Sequence, residues 1–307
     1  MAVIKKEFYY PSSCGNCEIH AISWKPAGEV KAVVQLVHGM AEYANRYEDM
    51  AKYYAEKGYA FYACDHLGHG KSVNENYELG YFGENERGHV FVDDVKKLTD
   101  IAKMENPGKP MIIYGHSMGS FITRVYLSKY GDAVDAAVVC GTAGPNLAIG
   151  VAKFLTSILN KTRPHKGGKL MNTMAFMGWN GKTEKRTQFD WLSVDTDNVD
   201  KYIADPLCGF LFTNNGFRAL ITLNDYINAE EVYAGTPDLP IYLIYGEGDP
   251  VGGYGKGIAQ VKDAYEKSGH TKVSVKAWPD ARHEIHNESA IATAVFDDVQ
   301  AWIDANV

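Results

Sequence analysis

The pentapeptide Gly115-His-Ser-Met-Gly119 constrains the fold of this chain more than any other stretch, because of the segments on either side of it. Residues 110–114 are almost all apolar and predict a short buried strand. Residues 118–130 carry apolar side chains at helical spacing and predict a helix. A strand joined to a helix by a tight, glycine-flanked turn predicts that Ser117 lies on a strained turn with its hydroxyl raised above the sheet.

Strands and helices alternate along most of the chain, which predicts an α/β fold with a mostly parallel central sheet flanked by helices. After a hairpin, we expect the following strands, separated by helices: 31–37, 59–64, 110–114, 136–140, 239–245 and 272–278. Three of the helices are expected over residues 92–104, about 254–267 and about 288–304. The alternation stops between residues 146 and 236, where helical patterns appear but no convincing strand. We therefore expect a core made of residues 1–145 and 237–307, with a mainly helical cap, residues 146–236, inserted into it.

Length, composition and charge limit the kind of protein that this chain can be. A chain of 307 residues with 46% hydrophobic residues can bury a large core. Its formal charge of −7 argues against nucleic acid as a partner. The beginning of the chain lacks a signal-peptide pattern, and no apolar stretch reaches the length of a bilayer. We therefore expect a cytoplasmic protein.

The pair Cys14-Gly-Asn-Cys17 has the spacing of a redox site or of half a zinc site. The same residues stand between the two hairpin strands, 5–10 and 18–24, and Gly-Asn is typical of hairpin turns. No second C-x-x-C occurs in the chain, so a plain turn is the favoured interpretation.

A serine nucleophile needs a base, and the base needs an acid that fixes its tautomer. Sites of parallel sheets lie at the carboxyl ends of the strands. Asp249 follows one predicted strand by four residues, and His283 follows another by five. The order Ser117, Asp249, His283, with the cap between serine and acid, is that of the α/β-hydrolase fold.

Other histidines compete with His283 as the base, and their number also raises the question of a metal site. The competing residues are His38, His66, His69, His116 and His286. No H-E-x-x-H or comparable ligand spacing is present, so we expect no metal.

For the oxyanion hole, the expected backbone N–H donors are those of Met118, after the serine, and Met40, in the loop after an earlier strand.

Five separated motifs resemble those of a known family. They are His38-Gly-Met-Ala-Glu-Tyr-Ala-Asn-Arg-Tyr47, Asp65-His-Leu-Gly-His-Gly-Lys-Ser72, Gly115-His-Ser-Met-Gly119, Asp205-Pro-Leu207 and Arg282-His-Glu-Ile285. Together they resemble the monoacylglycerol lipase and lysophospholipase branch of the serine α/β-hydrolases, over the region from about residue 20 to the end of the chain. The resemblance implies the same triad and oxyanion donors. Because water completes the reaction on an acyl-enzyme, we expect no cofactor.

The resemblance also implies residues that shape the polar pocket or brace the oxyanion loop: Glu42, Arg46 and His116, with His286 grouped beside them. Glu42 and Arg46 stand four residues apart, so a plain helix ion pair is the alternative. Ala41 and Tyr43 depart from the family's usual loop, which more often has glycine and histidine there. This departure bears on selection of the glycerol head group.

The first half of the expected cap is basic and amphipathic. Residues 146–186 carry eight basic side chains and a single acidic one, Glu184, within a chain of net charge −7. Apolar residues at helical spacing and several methionines share this stretch. The pattern favours an acyl chain below the cap and transient contact with a membrane or micelle above it. The alternative is a cap packed on its own core with solvated lysines.

The sequence therefore predicts a serine carboxylic-ester hydrolase that releases fatty acid from monoacylglycerol-type lipids through an acyl-enzyme. Lysophospholipase, small-ester or feruloyl esterase and aminopeptidase-like amidase activities are alternatives. A non-catalytic binding protein with the same fold is a more remote one. The oligomeric state is open.

Overall fold

A computed structural model describes residues 2–307 as eight strands and ten α-helices. The strands are β1 (Val3–Pro11), β2 (Glu18–Pro26), β3 (Ala32–Val37), β4 (Tyr59–Cys64), β5 (Met111–His116), β6 (Ala136–Cys140), β7 (Ile241–Gly246) and β8 (Val273–Trp278). The helices are α1 (Glu48–Glu56), α2 (His89–Glu105), α3 (Met118–Tyr130), α4 (Ile149–Thr162), α5 (Lys169–Ala175), α6 (Thr196–Ala204), α7 (Asn214–Tyr226), α8 (Glu230–Gly235), α9 (Lys256–Lys267) and α10 (Ala292–Asn306).

All eight strands form one sheet in the order β1-β2-β4-β3-β5-β6-β7-β8. β1 and β2 make an antiparallel hairpin, and β2 pairs antiparallel with β4. Every other pairing, from β4 through β3 to β8, is parallel. The predicted mostly parallel α/β sheet is therefore confirmed. The carboxyl ends of the parallel strands lie at one edge, where loops can bring distant residues together.

Helices cover both faces of the sheet, which explains why the central strands are mostly apolar on both faces. In β5, Met111 and Ile113 belong to one core cluster, whereas Ile112 and Tyr114 belong to the cluster on the opposite face. All four side chains are inaccessible to solvent. β5, which leads into Ser117, is thereby held rigidly from both sides.

Three predicted helix starts differ from the observed ones. The helix expected from residue 92 begins at His89. The helix expected from 254 begins at Lys256, because Tyr254 and Gly255 have positive φ angles of 57° and 88°. The helix expected from 288 begins at Ala292.

The last of these differences has a clear physical reason. Glu288 is buried, and its carboxylate accepts hydrogen bonds from the backbone N–H groups of Val194 and Arg282, at 3.0 and 3.1 Å. Its side chain thereby fastens the loop that precedes α10 to the segment 146–236.

The segment 146–236 follows β6 and contains α4 to α8. Its extended pairing within residues 2–307 is limited to an isolated bridge between Gly167 and Thr213.

Cys14 and Cys17 lie in the turn between β1 and β2, where Gly15 has a φ of 84°, and all five cysteines are free. No helix within residues 2–307 is both long and apolar enough to cross a membrane.

Candidate active site

Ser117 lies on the sharp turn between β5 and α3, with backbone angles of φ 55° and ψ −124°. A non-glycine residue in such a conformation costs on the order of 1–3 kcal/mol. The surrounding structure enforces it, because the Ser117 N–H donates to the Cys140 carbonyl at 2.9 Å. A Cβ at Gly119 would overlap the carbonyl oxygen of Val37, and one at Gly115 would overlap Thr123. Both glycines of the pentapeptide are therefore sterically required.

Asp249 and His283, which follow β7 and β8, meet at the carboxyl end of the sheet. His283 Nδ1 lies 2.9 Å from Asp249 Oδ2, and both side chains are fully buried. Burial alone would lower the pKa of His283, but the Asp249 carboxylate outweighs it and holds the pKa above the ordinary value. Gly141 closes the site from behind, since a Cβ there would lie 3.0 Å from the His283 ring.

The other ring nitrogen of His283 faces a different situation. Nε2 is buried and has no hydrogen-bond partner among residues 2–307. His283 and Ser117 line the same cavity. In proteins without substrate, hydrogen bonds between a candidate base and nucleophile are often long and tighten on binding. The ring is thus oriented by Asp249 on one side and available for a proton on the other.

The loop after β3, residues 38–43, approaches Ser117 closely. A Cβ on Gly39 would lie 3.0 Å from the Ser117 Cβ, so only glycine lets the backbone come this near. Met40 and Met118 both line the cavity beside Ser117. Their backbone N–H groups donate no hydrogen bond within residues 2–307. We call residues 38–43 the oxyanion loop, after the role that we propose for it below.

Glu42 is buried and fastens this loop. It accepts hydrogen bonds from the Gly39 N–H at 2.6 Å and from the Tyr47 hydroxyl at 2.8 Å. Arg46 binds its other carboxylate oxygen at 2.6 Å. Burial would raise the pKa of Glu42, but His116 and Arg46 outweigh that and hold its pKa well below the usual range. Glu42 and Arg46 therefore connect several segments, which favours the bracing hypothesis over an isolated helix ion pair.

His116 and His286 pack behind the candidate base. The His116 ring centroid is 4.7 Å from that of His283 and 4.5 Å from that of His286. Tyr47 stacks on His286 at 4.8 Å, and its hydroxyl lies 2.8 Å from His116 Nδ1. Burial lowers the pKa of His286 well below its ordinary value, so it stays neutral. Of the rival bases, only His116 joins His283 in lining the cavity.

His116, Cys140 and His286 place one donor atom each within 4.8 Å of one another. These atoms are the types that bind zinc or copper. Burial raises the pKa of the Cys140 thiol to about 12, however, and a metal-binding cysteine must lose its proton. His116 Nδ1 is also already engaged with Tyr47. The donor set alone does not make a convincing metal centre.

A cavity of about 1430 Å³ opens above Ser117 and His283. One side is formed by loops at the carboxyl ends of the strands, and the other by residues of the segment 146–236. Its apolar lining includes Leu147, Ile149, Phe176, Met177, Leu211 and Leu220. The carboxylates that line it, Glu42 and Glu284, are both bound by Arg46.

Three residues of this site were not among those predicted from the sequence. Glu284 receives two hydrogen bonds from Arg46, and Tyr202 and Gly209 both donate to the carbonyl of Ala41. The position of Glu284 directly after His283 was a usable signal. Nothing in the sequence pointed to Tyr202 and Gly209, which come from α6 and the loop after it.

Comparison with known proteins now identifies the class. The family described as "Serine aminopeptidase, S33" (Hydrolase_4) matches residues 28–290. The chain therefore belongs to this family of serine α/β-hydrolases, and it is a serine ester hydrolase with the fold that the sequence predicted.

The relatives place it more closely, in the monoacylglycerol lipase branch. It is 31% identical to a monoacylglycerol lipase of Mycolicibacterium smegmatis over 281 residues, which cover 91% of this chain and 90% of that protein. It is 26% identical to the human monoglyceride lipase, over 91% of this chain and 84% of the relative. A solved structure of a thermostable carboxyl esterase from Bacillus coagulans, in complex with glycerol, superposes with a TM-score of 0.92 at 28% identity. That match covers 100% of this chain and 99% of the other.

Proposed function

We propose that Ser117, Asp249 and His283 form a catalytic triad that releases fatty acid from monoacylglycerol-type lipids. The observation that carries this proposal is the Asp249–His283 pair at 2.9 Å, in which His283 lines the same large cavity as the strained Ser117. The names of the relatives, monoacylglycerol lipase and monoglyceride lipase, support the substrate class.

The steps of the reaction follow from which group holds the serine proton at each stage. His283 Nε2 takes the Ser117 proton as the serine oxygen attacks the ester carbonyl, and Asp249 stabilises the imidazolium that forms. The protonated His283 then gives the proton to the departing glycerol oxygen, which leaves an acyl-enzyme. A water molecule then attacks the acyl-enzyme through the same two steps. The fatty acid is released and the free serine is regenerated. No cofactor is required.

The oxyanion of each tetrahedral intermediate needs preorganised donors, and we assign the backbone N–H groups of Met40 and Met118. Both lie beside Ser117, and neither is engaged elsewhere in residues 2–307. Removing one such donor typically costs about 10²–10³ in kcat. The Glu42–Arg46 bracing of the loop then serves to keep the Met40 donor in place.

We propose that residues 146–236 form a cap whose inner face holds the acyl chain. The cavity of about 1430 Å³ exceeds the roughly 300–1,000 Å³ typical of small-molecule sites, and its walls are largely apolar. A short ester would leave most of it unfilled. A peptide substrate fits less well, because the two lining carboxylates are both bound by Arg46 and none is free for an α-ammonium group.

The outer face of the cap supports transient contact with a lipid surface. Val151, Phe154 and Ile158 form an exposed stripe along α4. Leu147 and Met177, which also line the cavity, are exposed as well. The stretch 146–186 around them has a net charge of +7, although Lys153 and Arg186 pair with acidic neighbours. An apolar stripe with surrounding cations suits an anionic membrane or micelle surface.

A panel of substrates tests the assignment. Fatty-acid release should be measured side by side from monoacylglycerols, lysophospholipids and short esters of increasing acyl length. We expect the highest kcat/KM for long-chain monoacylglycerols. Faster hydrolysis of lysophospholipids or of short or feruloyl esters would instead establish one of those alternatives.

A further inference from the structure

We infer that Tyr202 is a positioning residue, which holds the oxyanion loop in its active geometry by donating a hydrogen bond to the carbonyl of Ala41. This inference rests on the proposed role of the Met40 N–H, the residue before Ala41. It assigns to α6, within the proposed cap, a direct part in shaping the oxyanion hole.

The oxyanion loop contains a strained residue at its centre. Ala41 has a φ of 52°, in the left-handed region that residues with a Cβ rarely adopt. The φ of Ala41 sets the angle between the peptide unit that follows Met40 and the one that follows Ala41. Rotation about the Ala41 N–Cα bond swings Met40 relative to the Ala41 carbonyl, so a return to negative φ would move the Met40 N–H away from Ser117. Something must therefore hold Ala41 in place.

Two hydrogen bonds supply that restraint, and both converge on the carbonyl oxygen of Ala41. The Tyr202 hydroxyl donates at 3.1 Å, and the Gly209 N–H donates at 2.9 Å. Gly209 is needed for this approach, because a Cβ there would lie 3.1 Å from the Tyr202 ring. The next contact along the loop is also with this region, since the Tyr43 hydroxyl donates to Asp205 at 2.8 Å.

The Tyr202 side chain is itself fixed in orientation. It is buried, and the Arg46 guanidinium lies over its ring at 4.9 Å. Burial raises the pKa of the Tyr202 hydroxyl well above its ordinary value, so the group remains a donor throughout the physiological range. The cation that binds Glu42 on one side of the loop thus also orients the tyrosine that holds Ala41 on the other.

Tyr202 also lines the cavity, so its hydroxyl could instead contact the glycerol head group. The two roles differ in what they affect. A positioning residue influences every ester, whereas a head-group contact influences only substrates that carry glycerol. Comparing a monoacylglycerol with a p-nitrophenyl ester, whose leaving group lacks glycerol, separates the two roles.

The test uses Tyr202→Phe alone and together with Ala41→Gly. We expect Tyr202→Phe to lower kcat by roughly 3- to 10-fold for both substrates, the size of one lost hydrogen bond, with KM changed by less than about 2-fold. Adding Ala41→Gly should restore at least half of the lost kcat, because glycine adopts positive φ without steric cost.

Tyr10→Phe is the matched control. Its buried hydroxyl also donates to a backbone carbonyl, at 2.9 Å, but that carbonyl belongs to Asp94 on α2 and not to the loop. Its kcat should stay within about 2-fold of wild type.

Three results would overturn the inference while leaving the proposed function intact. They are a kcat for Tyr202→Phe equal to that of wild type, a loss confined to the monoacylglycerol or to KM, and no recovery on adding Ala41→Gly. A Ser117→Ala variant that keeps wild-type rates would overturn the proposed function and this inference together. Thermal melts of each variant establish that the fold is retained.

Discussion

Arg46 binds Glu284 through both terminal nitrogens of its guanidinium group, at 2.8 and 2.9 Å. Because Glu284 directly follows His283, and Arg46 also binds Glu42 at 2.6 Å, a single largely buried cation connects the candidate base to the oxyanion loop. Burial would raise the pKa of Glu284, but Arg46 outweighs it and lowers that pKa to about 2. The two halves of the site, which come from opposite ends of the chain, are fixed relative to each other by this pair.

Replacing Arg46 should therefore destabilise the protein strongly. Arg46→Met keeps much of the side-chain volume but leaves two buried carboxylates without their cation. Breaking a buried pair from one side costs about 3–5 kcal/mol. The free energy of unfolding, measured by urea titration, checks this value.

The matched control is Lys129→Met, which breaks the more exposed pair between Lys129 and Asp93. Exposed pairs contribute about 0–1 kcal/mol, so this variant should unfold close to wild type. Similar losses of unfolding free energy in the two variants would show that Arg46 does not stabilise the fold by binding Glu42 and Glu284.

The pH dependence of the reaction should report His283. The base must be neutral to accept the serine proton, so activity is lost as pH falls through its pKa. Asp249 raises that pKa above the ordinary value of about 6.5, and kcat/KM should therefore fall with a midpoint above that pH.

Asp249→Asn provides the comparison for the pH profile. It removes the charge that raises the pKa of His283 and also disturbs its tautomer. The midpoint should move to lower pH, and the plateau rate should fall by as much as about 10⁴. An unchanged midpoint in this variant would mean that another group controls the profile.

Gly141→Ala should damage catalysis by displacing the base. The new Cβ would lie 3.0–3.1 Å from the His283 ring, which must then shift. Small displacements of reacting groups can cost up to about 10² in rate, so we expect kcat to fall by at least about 10-fold. Gly108→Ala is the control, because Gly108 also has positive φ but nothing within 4 Å of its position for a Cβ. If both variants lose the same activity, backbone strain and not the contact with His283 is responsible.

Membrane contact through the proposed cap predicts a specific effect of Phe154→Ser. Phe154 is exposed on α4, and its loss removes apolar area from the exposed stripe along that helix. Cosedimentation with anionic phosphatidylglycerol vesicles should weaken by roughly 5-fold or more. Met104→Ser changes an exposed apolar residue on α2 and should leave binding unchanged. Equal binding of wild type and Phe154→Ser would contradict membrane contact through the exposed stripe on α4.

The sequence predicted the sheet well because its signals are local. β5 is apolar on both faces, and glycines flank the turn that follows it, so a strand, a turn and a helix could be placed from adjacent residues. Asp249 and His283 could also be selected from the sequence, because each stands just after a predicted strand, in the order serine, acid, histidine. The structure places Asp249 and His283 in contact, which no local pattern could establish.

The bracing of the oxyanion loop was only partly predictable, because it depends on tertiary packing. Glu42 and Arg46 stood out through a motif, but their common partner Glu284 lies more than two hundred residues further along. Ala41 was noted as a departure from the usual loop. Its positive φ and the two donors that restrain it are properties of the folded chain alone.

Covalent labelling of the nucleophile tests the central claim most directly. The wild-type protein should be treated with a fluorophosphonate probe, the modified peptide identified by mass spectrometry, and fatty-acid release from a monoacylglycerol measured in parallel. We expect the label on Ser117, and we expect Ser117→Ala to lose both labelling and hydrolysis while melting at the wild-type temperature. Labelling of a folded Ser117→Ala protein, or its continued hydrolysis of the monoacylglycerol, would contradict the account.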